Sequence, residues 1–344
     1  MGKRSSCLKV GKAPRKWYYL FLNLFNMTTP IYPTATSILE AHARIQPYVH
    51  RTPILTCKTI NKLVGASLYF KCENFQKIGA FKARGGVNAV LSLTTDEQAR
   101  GIATHSSGNH AQAIAYAAGV VGTKAFIVMP DNSPEVKIKA VKGYGAEVTF
   151  CKNTPEERER TVQEVVARSG ATFIHPFNDY NVITGQATAA KELFDDVGVD
   201  LDALIAPVGG GGLLSGTALS AHYFAERTRV FAGEPEGAAD AVLSFQSQKI
   251  ERAPYVNTIA DGLLTPLGDK TLDIILRHVE GIYTVSDAEI IEAMRLIWER
   301  MKIIVEPSCA VPLAAVIKNK ALFKDLTVGV ILTGGNVDLG RLPF

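Results

Sequence analysis

Short β-branched and aromatic runs recur along the chain from about residue 37 onward. They read LYFKC (68–72), GIATH (101–105), AFIVM (125–129), EVTFC (147–151), TFIHP (172–176), ALIAPV (203–208), RVFAGE (229–234) and VGVILT (328–333). Between most of them lie 10–18 residues with apolar positions at helical spacing, as in 111–121, 134–144, 155–169 and 187–197. Strands that alternate with helices of this length predict βαβ units, and near-continuous apolar strands predict parallel sheet covered on both faces. The pattern shows no internal repeat and no low-complexity linker. It predicts a two-domain α/β protein with its site between the domains.

Composition narrows the class. The chain has 344 residues, 47% hydrophobic and 20% charged, which excludes a disordered chain. No apolar run approaches the ~18 residues of a membrane span. The five cysteines (Cys7, Cys57, Cys72, Cys151, Cys309) contain no C-x-x-C pair. Their odd number and wide spacing argue against a disulfide framework or structural zinc, and for a soluble cytoplasmic protein.

The net charge of +4 belongs to one end. Residues 1–26 hold six basic groups and no acid, so the rest carries 31 basic against 33 acidic residues. A nearly neutral body gives no electrostatic basis for nucleic-acid binding. The basic end continues into WYYLFLNLF (17–25) and has three readings. It resembles a targeting presequence without a small-residue cleavage site. Met1, Gly2 and Ser6 fit a myristoylation pattern, with Cys7 nearby. The third reading is a disordered extension, or translation assigned upstream of a start at Met27. Residues 1–26 are therefore set apart from the fold.

Three polar or glycine-rich turns follow strands, where open α/β sheets bind ligands. They are THSSGNH (104–110), GGGG before Leu213 (209–212) and TGGN (333–336). Four successive glycines let backbone N–H groups form a concave nest at a helix start, which suits a phosphate. The segment lacks a P-loop ending and is not G-x-G-x-x-G. A fourth element, KIGAFKARGG (77–86), places Lys82 beside Phe81 and Arg84. A lysine in apolar and cationic surroundings has a lowered pKa and condenses with aldehydes. A phosphate nest with an imine-forming lysine points to pyridoxal 5′-phosphate.

FKCENFQKIGAFKARGG, THSSGNHAQAIAYAA, PVGGGGLLSG and VILTGGNVDL, in this order and spacing, resemble the fold-type II pyridoxal-phosphate enzymes. Within these the chain is similar to serine racemases and catabolic serine/threonine dehydratases over about residues 36–344. The resemblance implies the tryptophan synthase β-like fold: two open twisted, mainly parallel sheets flanked by helices. A large cofactor-binding domain would be formed by 27–100 and 179–344, and a small mobile domain by 101–178. Lys82 would be the Schiff-base lysine, with Phe81 beside the cofactor and Asn109 on its ring hydroxyl. Gly209, Gly210, Gly211, Gly212 and Leu213 would hold the phosphate, and Thr333 would face the pyridine nitrogen. Ser106, Ser107, Asn109 and His110 would receive the substrate, with Ser107 as the acid/base opposite Lys82. Glu234, the Ala238 carbonyl and Asp240 match the family's divalent-cation site, where oxygen ligands suit Mg²⁺, Ca²⁺ or Mn²⁺. Cys309 replaces a small residue and is assigned packing only.

The implied activity is β-elimination of L-serine or L-threonine to a 2-oxo acid and ammonia, with serine racemization. The alternative within the family is a threo-3-hydroxyaspartate dehydratase or aspartate racemase, for whose second carboxylate Arg84 is the one cation considered. A non-catalytic ligand sensor is the alternative outside it. A homodimer is implied. Ile78 replaces a hydroxyl-bearing residue near the family's ATP site, which argues against ATP activation. The short stretch after Asn336 argues against isoleucine feedback.

Overall fold

In the computed structural model the residues described are 32–106, 108–133 and 135–344. The basic end and Ser107 therefore lie outside them. The strands are β1 (Ile54–Leu55), β2 (Ser67–Cys72), β3 (Ile102–His105), β4 (Ala125–Pro130), β5 (Glu147–Cys151), β6 (Thr172–Phe173), β7 (Ala203–Pro207), β8 (Arg229–Pro235), β9 (Gly281–Val285) and β10 (Thr327–Leu332). They form a six-stranded sheet in the order β1-β2-β10-β7-β8-β9 and a four-stranded sheet in the order β5-β4-β3-β6. Every pairing is parallel except β1 with β2.

Both sheets are covered on both faces, as their apolar strands require. One core of the larger sheet centres on helix Pro307–Lys318, the other on helix Gly212–Phe224 and helix Asp269–His278. The four-stranded sheet packs helix Asn109–Val121 on one face and helix Pro155–Ser169 on the other. Start signals are local: Thr154 caps Pro155–Ser169, with proline in its first turn, and a Ser286/Glu289 capping box opens Asp287–Leu296.

Two sequence expectations shift. The run 172–176 forms only the two-residue β6. The helix expected from 187 spans Tyr180–Asp196, starting where the Asp179 side chain accepts from the N–H groups of Asn181 (2.7 Å) and Val182 (3.1 Å). Residues 182–190 lack a pattern because they are buried without a break. A β-carbon on Gly185 would sit 2.6 Å from the Arg84 carbonyl, so glycine permits the close approach to helix Lys82–Leu91.

That approach is locked by a buried ionic cluster. Arg84, fully buried, donates from Nε to Glu73 Oε2 (2.7 Å) and from its terminal nitrogens to Glu73 Oε1 (2.8 Å) and both Glu192 oxygens (2.8 and 2.7 Å). Lys71 Nζ donates to Glu192 Oε2 at 2.8 Å, and Thr52 Oγ1 to Glu73 Oε1 at 2.5 Å. Burial alone would raise the Glu192 carboxyl, but Arg84 and Lys71 outweigh it and hold the pKa at about 2. Arg84 is thus consumed by the scaffold and does not face the site as a cation for a second substrate carboxylate. This corrects the role considered for it.

Removing one partner of such a cluster strands buried charge, at roughly 3–5 kcal/mol. Glu192→Ala is expected to lower unfolding stability by about that much in urea titrations, whereas a surface control, Glu135→Ala, leaves the midpoint nearly unchanged.

Candidate functional site

Strands β7 and β10 are parallel neighbours, so the turns that follow them emerge side by side. The turn after β7 carries the four glycines, and Thr333 directly follows β10. Gly211 has φ +86°, a left-handed conformation glycine adopts without strain, and it caps helix Gly212–Phe224. The first hydrogen bond of that helix runs from Ser215 N–H to the Gly211 carbonyl at 2.8 Å. The N–H groups of Gly212, Leu213 and Leu214 are left without helical acceptors at the positive end of the helix dipole. The space beside the glycines is filled from behind. A β-carbon on Gly209 would lie 2.9 Å from Leu263, one on Gly211 2.8 Å from Thr271, and one on Gly212 3.0 Å from Phe177.

Lys82 is the first residue of helix Lys82–Leu91, whose start is tied to β10 by the Phe81 N–H donating to the Thr333 carbonyl at 2.9 Å. Its Nζ lies 5.4 Å from the Phe81 ring centre and donates to the Pro176 carbonyl at 2.8 Å. The next residue, Phe177, covers the glycine turn, so Lys82 and the nest meet across the 176–177 segment. Desolvation lowers the Lys82 pKa to about 8. A nucleophilic amine is therefore accessible near neutral pH.

The turn after β3 approaches the same place. The Ser106 N–H donates to the Val128 carbonyl (3.0 Å), and its Oγ accepts from Gly108 N–H (3.3 Å). Asn109 opens helix Asn109–Val121 and donates from Nδ2 to Glu306 Oε1 at 2.8 Å. His110 is buried, and burial with Lys82 nearby holds its imidazole well below the usual range. His175 follows the same rule at about 4, and its Nδ1 accepts from the N–H groups of Phe177 (3.3 Å) and Asn178 (3.0 Å). It is thus neutral, and its ring meets Phe177 edge-on at 4.6 Å.

The carboxylate group lies elsewhere, after β8. Glu234 accepts from Ala241 N–H (2.6 Å) and Val242 N–H (2.9 Å). Burial pushes Glu234 up to about 8 and Asp240 up to about 6, and Asp240 Oδ2 is buried without a hydrogen-bond partner. An orphaned carboxylate oxygen beside a second carboxylate and the buried Ala238 suits a hard cation. Among the described residues, however, no three His, Cys, Asp or Glu side chains cluster as metal ligands. Cys309 is fully buried, and burial pushes its thiol upward.

The structure brings together Lys82, Phe81, the glycine turn, Thr333 and Asn109, and it leaves Glu234 and Asp240 in a separate group. Sequence reasoning missed Glu306, Phe177, Lys137 and Asp261 and gave Asn336 no role, although Asn336 ends the TGGN turn and Lys137 lies in the helical run 134–144. Glu306 had one signal available: an acidic residue at a helix start within a buried stretch.

A free amine of lowered pKa, unpaired helix-start N–H groups and a buried hydroxyl at a strand end fit the aldehyde, phosphate and ring nitrogen of pyridoxal 5′-phosphate. The comparisons agree. A family model described as pyridoxal-phosphate dependent enzyme matches residues 45–334. The chain is 51% identical over 312 residues to a beta-hydroxyaspartate dehydratase of Paracoccus denitrificans, spanning 91% of this chain and 99% of that one. The crystal structure of serine racemase from Dictyostelium discoideum superimposes with a TM-score of 0.85 at 50% identity, covering 89% of this chain and 99% of that one. The crystal structure of T.th. threonine deaminase gives 0.85 at 42% identity, covering 90% and 100%. The chain is a fold-type II enzyme and belongs to the pyridoxal-phosphate dependent enzyme family.

Proposed function

We propose that this enzyme eliminates water from L-serine and L-threonine and racemizes serine at the same site. The observation that carries this is the Lys82 amine, lowered to about 8 and set across Phe177 from the glycine nest. The likeness to a serine racemase and a threonine deaminase supports the substrate class. Pyridoxal 5′-phosphate, when bound, supplies an aldehyde for the amino group and an electron sink for charge at Cα.

The protein's residues do the rest. Lys82 holds the cofactor at rest, and its freed amine removes the α-proton as general base. N–H groups of Gly209, Gly210, Gly211, Gly212 and Leu213 would hold the phosphate. Thr333 would offer a hydroxyl, not a carboxylate, to the ring nitrogen, and a neutral hydroxyl would not stabilise a proton there. Charge at Cα is then resolved quickly. Departure of the β-hydroxyl yields an unsaturated amine that water converts to a 2-oxo acid and ammonia. Alternatively, Ser107 returns a proton and gives the D-enantiomer, a role assigned from the sequence resemblance. Ser106, Asn109 and His110 complete the substrate turn, and residues 101–178 act as the small closing domain. Glu234, the Ala238 carbonyl and Asp240 are the proposed Mg²⁺ site, supported by the orphaned Asp240 oxygen. The family resemblance supports a homodimer.

A second substrate reading is favoured by Lys137. Its Nζ lies 3.7 Å from where a β-carbon on Gly108 would sit and pairs with Asp261 Oδ2. An ammonium at the substrate turn, held by a carboxylate that a substrate carboxylate can replace, suits threo-3-hydroxyaspartate. The likeness to a beta-hydroxyaspartate dehydratase points the same way.

The test supplies L-serine, L-threonine and L-threo-3-hydroxyaspartate separately and follows 2-oxo acid and D-serine. Serine and threonine turnover with D-serine release is expected; no turnover of either ends the main proposal. Ser107→Ala is expected to lower D-serine formation about 100-fold, with pyruvate falling by less than about threefold. Equal losses would remove racemization by Ser107. Lys137→Gln is expected to raise KM for hydroxyaspartate about tenfold and leave that for serine within about threefold. Mg²⁺ is expected to raise Tm in the wild type and not in Asp240→Asn. Protons compete for Glu234 and Asp240, so the rise is larger at pH 8 than at pH 5.5.

A further inference from the structure

Both ends of the Asn109 amide are committed inside the protein. Nδ2 donates to Glu306 Oε1, and Oδ1 accepts from Asn336 Nδ2, each at 2.8 Å. The same Asn336 Nδ2 donates to the Ile78 carbonyl at 2.8 Å. A carbonyl only accepts, so it determines which end of Asn336 faces it. That NH₂ group makes Asn109 present its oxygen, and the Asn109 nitrogen is left for the carboxyl of Glu306. Polarity runs one way, from a backbone carbonyl to a buried acid 228 positions along the chain.

Both termini of this relay are unusual for their places. Ile78 has φ +59° and ψ 9°, a left-handed conformation costing a β-branched residue on the order of 1–3 kcal/mol. Glu306 precedes helix Pro307–Lys318, yet its side chain makes no cap hydrogen bond, whereas those of Thr154, Asp179 and Ser286 cap their helices. Glu306 turns instead toward Asn109 and is only 4% exposed. Gly334 makes room for it, since a β-carbon there would lie 2.6 Å from Glu306 Oε1.

We propose that Glu306 is a positioning residue: acting with Asn336, it fixes the Asn109 amide so that one Nδ2 hydrogen remains to donate to the ring oxygen of the cofactor. This rests on Asn109 facing that oxygen. An asparagine free to rotate would offer oxygen to oxygen half the time and lose the contact.

The test titrates apoenzyme with pyridoxal 5′-phosphate and reads Kd and the absorbance maximum of the bound cofactor. No substrate is present, so failure of serine or threonine turnover leaves the outcome untouched. Glu306→Ala is expected to weaken binding about tenfold and move the band, while Glu306→Gln, whose Oε1 still accepts, stays within about twofold of wild type. Asn336→Asp, which sets oxygen against both Ile78 and Asn109, is expected to weaken binding about as much as Glu306→Ala. In an Asn109→Ala background, Glu306→Ala should add less than about twofold. Wild-type binding by Glu306→Ala or Asn336→Asp overturns the proposal. So does an undiminished loss without Asn109, or Glu306→Gln failing like alanine at unchanged melting temperature.

Discussion

Everything at the site is referred to one buried ionic cluster. Arg84 sits two residues after Lys82 on the same helix, and its guanidinium is shared between Glu73, beside β2, and Glu192, on helix Tyr180–Asp196. Dehydrating these ions is costly, and their mutual attraction compensates only in well-formed geometry. The cluster is therefore intolerant of displacement more than it is a source of net stability. Lys82 inherits that intolerance: the helix that starts with it cannot slide without breaking several charge-assisted hydrogen bonds at once.

From that fixed helix, the chemistry is assembled out of strand ends. Thr333 and the glycine turn are adjacent because β10 and β7 are, although the two segments are far apart in sequence. The glycines serve two purposes. They expose backbone N–H groups, and they admit Leu263, Thr271 and Phe177 so closely that any side chain would displace them. Exposed backbone N–H groups and close packing thus favour the same residue.

The strands and the polar turns that end them were legible because both signals are local. Eight apolar runs marked strand positions, and the motifs at 77–86, 104–110, 209–212 and 333–336 marked the family. The two-residue β1 and the strand β9 at the sheet edge escaped, although GIYTV carries the same β-branched and aromatic signal. Helix Pro307–Lys318 escaped because it is buried on all sides and carries Pro312 inside. The Glu306, Asn109 and Asn336 relay was illegible for a different reason. Its meaning lies in contacts between residues about 200 positions apart, and no spacing rule reaches that far. Arg84 shows the converse error: placed near Lys82 in sequence, it points into the scaffold.

The central claim is a covalent one: the amine of Lys82 is the group that carries the cofactor. Reducing the cofactor-loaded enzyme with borohydride and mapping the pyridoxyl adduct by peptide mass spectrometry tests it directly. The account predicts a single stable adduct on Lys82, absent from Lys82→Ala. An adduct on another lysine, or none in an enzyme that retains the cofactor, would contradict it.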